Sequence, residues 1–153
     1  MLRLKKAKTM NRSDEDISGA IKKLSKEEWK KLFDLIPEIE KTEKFTKGGG
    51  VVKEPDKPGV YIINPVIEKK IVWDFRNIMS ELDLLIDFDW MDWDEGREIA
   101  SNQDFEGRDT ITLLKLISAF IRNDHFCEGA LAARFEERSI EKILKQIKKN
   151  IEG

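Results

Sequence analysis

Apolar residues recur at helical spacing along most of this 153-residue chain, and one stretch interrupts them: Gly48-Gly49-Gly50, then Pro55, Pro58-Gly59 and Asn64-Pro65. Glycine adds backbone freedom and proline removes a donor, so neither suits a helix interior. Inside the interruption, Val51-Val52-Lys53 and Val60-Tyr61-Ile62-Ile63 flank Glu54 to Gly59. That pattern predicts two short strands and a turn, a β-hairpin near residues 50–63. A two-stranded hairpin is marginal in water, so it is expected to lean on the helices. Neither flank reads as a complete domain. The expectation is a mainly α fold, a single helical domain over residues 13–153 with about six helices and the small hairpin, preceded by a disordered extension over residues 1–12.

The helices are placed by their caps and stripes. Ser13 with Asp16 opens a short helix over 14–23, and Ser25 with Glu28 forms a capping box for a second from Lys26. Its face is Trp29, Leu32, Phe33 and Ile36, and Pro37 is expected to kink or end it. A third stripe runs Ile67, Ile71, Phe75, Ile78 and Leu82, with Val72 and Met79 beside it. Residues 83–88 read as a connection or a short strand. Asp87 or Asp89 then caps a helix aligning Trp90, Trp93, Arg97 and Ala100, and residues 101–108 read as a polar loop. Asp109 caps a helix with Leu113, Leu114, Ile117, Phe120 and Ile121 on its face, ended by Asn123-Asp124. A short helix of small residues lies within 128–136. Ser139 is expected to cap the last helix, whose stripe is Ile140, Ile143, Leu144, Ile147 and Ile151, opposite Lys142, Lys145, Lys148 and Lys149.

Composition excludes several classes. With 40% hydrophobic residues the chain is not disordered throughout, although 38% are charged. One cysteine, Cys127, gives no internal disulfide, and with one histidine the chain lacks ligands for structural zinc. No apolar run reaches the roughly 18 residues of a membrane span, and the start has no signal-peptide core, so no membrane association and a cytoplasmic location are expected. Met10 reads as a second start beside Met1. Lys+Arg total 28 against 30 Asp+Glu, which argues against nucleic acid as a partner. The balance hides a segregation. Residues 74–109 hold 3 basic and 12 acidic side chains, net −9, whereas residues 1–31 hold 10 basic and 5 acidic, net +5.

The acidic segment contains the candidate site. Asp87, Asp89, Asp92, Asp94 and Glu95 crowd around Trp90 and Trp93. Asp89 and Asp92 stand three apart and on a helix could share Mg²⁺ or Mn²⁺, which take oxygen ligands. A metal-dependent hydrolase of phosphate esters would use them with Arg97 and Arg122 as charge stabilisers. The favoured reading turns both indoles into the core and leaves the acids in solvent, because aromatics at helical spacing usually pack. Arg122 and Glu128 are expected to pair across a helix corner, with Phe126 plugging the core and Gly129 allowing a close crossing. His125 and Cys127, two apart, make no nucleophile pair, and a buried or incidental thiol is expected. Gly48-Gly49-Gly50 is no phosphate loop, since no Gly-Lys-Ser/Thr follows it.

Two runs carry a resemblance: Asp87-Phe88-Asp89-Trp90-Met91-Asp92-Trp93, and Arg122 to Ala133 followed by Phe135-Glu136 and Ile140, Ile143, Leu144. With the weaker Leu35-Ile36-Pro37 they resemble a family of small uncharacterised prokaryotic proteins of unknown function. That pattern has arginine where this chain has His125. The resemblance implies a shared fold and no activity, cofactor or catalytic residue.

The expected function is therefore a small protein without catalysis or cofactor. It would act on a protein partner, or on itself, through an acidic, tryptophan-bearing surface formed by Asp87, Asp89, Trp90, Asp92, Trp93, Arg97, Arg122 and Glu128. The metal-dependent hydrolase is the second reading. Nucleic-acid binding through residues 3–31 and the last helix is the third.

Overall fold

The computed structural model describes residues 14–153, so the readings made on residues 1–13, including the Ser13 cap, lie outside the described residues. The fold is mainly α with a small antiparallel β element, as expected. Helix α1 is Asp14–Lys23 and α2 is Lys26–Phe33. The capping box is made in full: Ser25 Oγ accepts from the Glu28 N–H at 3.1 Å, and Glu28 accepts from the Ser25 N–H at 2.9 Å.

Pro37 does not end this helix. The break comes earlier, at Asp34, and α3 (Leu35–Lys41) carries Pro37 in its first turn. There the missing N–H would have had no partner in any case.

The β element is longer than expected. Strands β1 (Thr46–Gly48) and β4 (Val66–Glu68) pair at its root, and β2 (Val51–Lys53) pairs with β3 (Tyr61–Ile63) toward its tip. Asn64-Pro65 does not close it. Pro65 contributes its carbonyl, which accepts the Gly49 N–H at 3.2 Å, and the Asn64 N–H donates to Gly50 O at 2.9 Å. A side chain at Gly48, whose φ is +86°, would collide with that same carbonyl. The result is one two-stranded arm from residue 46 to residue 68. Ile67 belongs to it, half-exposed, and not to the helical stripe of α4 (Lys70–Glu81).

A short 3-10 turn, Trp90–Asp92, precedes α5 (Asp94–Asn102). Next come α6 (Thr110–Asp124), α7 (Ala130–Glu136) and α8 (Ser139–Glu152). The predicted stripes fill one contiguous core: Phe75 and Met79 from α4, Leu113, Leu114 and Ile117 from α6, and Ile140, Ile143, Leu144 and Ile147 from α8. Phe105 is buried within the stretch read as a polar loop. Ser118, also buried, shows how a polar residue sits in this core: it donates to Leu114 O at 2.8 Å and accepts the Ile86 N–H at 2.9 Å. That bond satisfies a buried donor of the irregular 83–88 segment and ties it to α6.

One cap expectation and one packing expectation fail. Ser139 is the first residue of α8 and does not cap it. Arg138, at φ +74°, occupies the cap position. The Arg138 guanidinium donates to Ile39 O at 2.8 Å and Thr42 O at 2.6 Å, carbonyls at the C-terminal end of α3, the first of which also accepts the Thr42 N–H. Gly129 makes no close crossing, because nothing lies near the position of a Cβ; its φ of +90° is what the turn into α7 requires.

Candidate functional site

Residues 87–97 do not form a helix running through both tryptophans. Asp89 lies ahead of the 3-10 turn and makes no side-chain cap, and Trp93 occupies the N-cap position of α5. The chain therefore turns between Trp90 and Trp93 and spreads the two indoles. Both are part-buried, and only Trp93 packs on the core, so the inward packing expected of both holds for Trp93 and not for Trp90. Trp93 does pack on the core, edge to face against Phe88 at 5.3 Å. It lies directly over Gly96, where a Cβ would overlap the indole. Trp90 instead meets Phe126, with ring centroids 6.2 Å apart. Phe126 is 70% exposed and does not plug the core, and Met91, next to Trp90 in the chain, is half-exposed.

Behind this aromatic pair is a cleft of about 250 Å³. It is lined by Trp90, Trp93 and Gly96, by Ala100, Leu116 and Ala119, and by Phe120, Arg97 and Arg134. The guanidinium of Arg134 lies 4.5 Å from the centre of the Phe120 ring. Ala100 and Ala119 are the small side chains of its lining, while the space over Gly96 is taken by the Trp93 indole.

The acidic side chains do not line the cleft. Asp89, Asp92, Asp94 and Glu95 are exposed. Asp92 hydrogen-bonds to Asp89 and repels its charge, and the two effects hold the Asp89 carboxyl above its usual range. Among the described residues no three His, Cys, Asp or Glu side chains stand where they could hold one metal ion. Arg97 is engaged within the turn, donating to Met91 O and pairing with Asp94 at 2.8 Å.

The remaining candidates lie elsewhere. Arg122 pairs with Asp87 and not with Glu128, because α6 turns it toward the 83–88 segment. Asp87 and Arg122 line a separate groove against α1. Glu128, exposed, borders a third groove at the root of the arm. Cys127 is exposed and not buried. The candidate residues are thus divided: Trp90, Trp93 and Arg97 line the cleft, Asp87 and Arg122 share the groove against α1, Glu128 lies at the root of the arm, and Asp89 and Asp92 are exposed and line none of these.

Sequence spacing gave no hint of the most enclosed charged cluster. Arg76 on α4 forks between Glu68 of β4, at 2.9 Å from one amino group, and Asp124 at the end of α6. The three side chains are only 15–18% exposed. Burial works against the charge on Arg76, but the two carboxylates outweigh it and raise its pKa. Asp124 also accepts the Leu131 N–H at 3.0 Å, satisfying a donor in the first turn of α7. These residues are eight and 48 positions apart, so no local periodicity links them.

The fold thus defines a class: a small mainly helical protein carrying a β arm, with an aromatic cleft set in an acidic surface. The chain belongs to the Family of unknown function DUF6508, whose model matches residues 24–153. No curated protein matches it, and no solved structure matches it. No described helix is long and apolar enough to cross a membrane.

Proposed function

We propose that the protein works as a non-catalytic binding module whose docking surface is the acidic, aromatic face around Trp90, Met91 and Phe126. The observation that carries this reading is that exposed Phe126 meets Trp90, a part-buried wall of the cleft, while Met91 and the carboxylates of Asp89, Asp92, Asp94 and Glu95 stand exposed in the same stretch of chain. Exposed aromatic groups beside a pocket are the usual anchors of a protein interface, because covering them removes a large apolar area from water. The surrounding charge sets the partner's chemistry: a segment with lysine or arginine next to an apolar side chain, the latter entering the cleft. The same charge disfavours pairing this face with its own copy.

The test is titration with basic peptides that contain one aromatic residue, read by tryptophan fluorescence and by calorimetry. Saturable binding that weakens with salt, and is lost when Trp90→Ala and Phe126→Ala are combined, supports the proposal. Equal behaviour of the wild type and the double variant refutes it. Heat on adding Mg²⁺, abolished by Asp89→Asn, would favour the two-carboxylate hydrolase reading instead.

A further inference from the structure

Most of the exposed large apolar side chains among the described residues are on the β arm. Val51 is 65% exposed, Tyr61 62% and Ile63 77%, and Val66, Ile67 and the neighbouring Trp73 on α4 are about half-exposed. Register places Val51 opposite Ile63 and Lys53 opposite Tyr61, so these four side chains share one face.

The arm is tied to the helices at its root. At its root Phe45 is fully buried, 5.0 Å from Phe135, and its N–H donates to Glu136 at 3.1 Å. The Lys69 N–H donates to Phe45 O at 2.9 Å, and Arg76 clamps Glu68. The fold therefore presents to solvent a ribbon that is marginal in water alone. Each half of the ribbon pairs with one strand only, which leaves its outer backbone edges open.

We infer that this arm is a self-association device, and that its occupant is the arm of a second copy of this chain, packed about a two-fold axis. Three features support a second copy. Residues 46–68 carry Lys47, Lys53 and Lys57 against Glu54, Asp56 and Glu68, so two arms meet without net repulsion and neither attracts a strongly charged partner. Val66 and Ile67 of the arm line one groove with Trp73 of α4, so the exposed apolar surface continues from the ribbon onto the body of the fold and offers a second copy more than the ribbon alone. A ribbon with open edges and an apolar face is also complementary to itself, which a two-fold interface demands.

The full chain is examined by sedimentation velocity over a dilution series, beside Tyr61→Glu with Ile63→Glu, Val51→Glu and Trp90→Ala. The expected result is twice the chain's mass for the wild type and for Trp90→Ala, and the single mass for the arm variants, with helical circular dichroism unchanged. Trp90→Ala separates this inference from the docking face proposed above. Hydrogen exchange of the wild type gives a second readout needing no variant: protection of the arm amides falls on dilution. A wild type monomeric up to roughly 100 μM, arm variants that remain dimeric, concentration-independent exchange, or a monomer whose arm binds vesicles or another protein would each overturn it.

Discussion

Replacing Arg76 with alanine tests the assignment of the charged cluster most directly. The guanidinium keeps Glu68 and Asp124 together, and all three side chains are more than four-fifths buried. Alanine leaves two carboxylates facing each other with little water to screen them. Removing one partner of a fully buried ion pair costs about 3–5 kcal/mol, and the slight exposure here argues for the lower end, about 3 kcal/mol. For a chain of this length each kcal/mol lowers Tm by about 2–4 °C, so Arg76→Ala is expected to lower it by about 6–12 °C. Denaturant melts followed by circular dichroism give the free energy, and calorimetry gives Tm. Arg76→Lys should fall between wild type and alanine, because lysine keeps the charge but cannot fork between two acceptors. A cycle with Asp124→Asn should return a coupling of at least about 1 kcal/mol. A loss below about 1 kcal/mol for Arg76→Ala, or no coupling to Asp124, would refute the argument.

Other outcomes follow from single contacts. Gly96→Ala should displace the Trp93 indole and cost about 1–3 kcal/mol, visible as a shifted tryptophan emission and a lower denaturation midpoint. Phe135→Ala removes the ring that meets both Phe45 and Phe75, for about 3–5 kcal/mol in the same assay. Asp109 caps α6 by accepting the Thr112 N–H at 3.1 Å. Burial pushes its pKa up, but the hydrogen bonds from the Thr112 hydroxyl and N–H outweigh this and lower it. Its contribution is thus present above the unfolded-state pKa and lost as pH falls through the folded one. Asp109→Ala should cost about 1 kcal/mol at neutral pH and progressively less in acid. Asp89 has the opposite sign. Held high by Asp92, it favours the folded state below its unfolded pKa, and that contribution is lost as pH rises through the folded value. Asp89→Asn should raise stability at neutral pH, and a Tm unchanged or lowered there would contradict the coupling.

The sequence alone determined whatever depends on neighbours a few positions apart. The Ser25–Glu28 box, the Asp109 cap and the stripes of α6 and α8 repeat at the helical period, and burial on one face follows from that spacing. The hairpin was readable from its glycines and prolines, although Asn64-Pro65 concealed its root, where pairing uses the proline carbonyl. In the candidate site, the acidic residues and tryptophans were legible as a group, but their directions were not. One tight turn at residues 90–92 decides that Trp93 packs while Trp90 faces Phe126, 36 residues further along. Likewise, Arg122 pairs with Asp87, and Arg76 joins a strand to the end of a distant helix, because folding sets them side by side. Ion pairs and exposed faces are fixed by distance in space, and a periodicity rule carries no information about contacts between elements far apart in the chain.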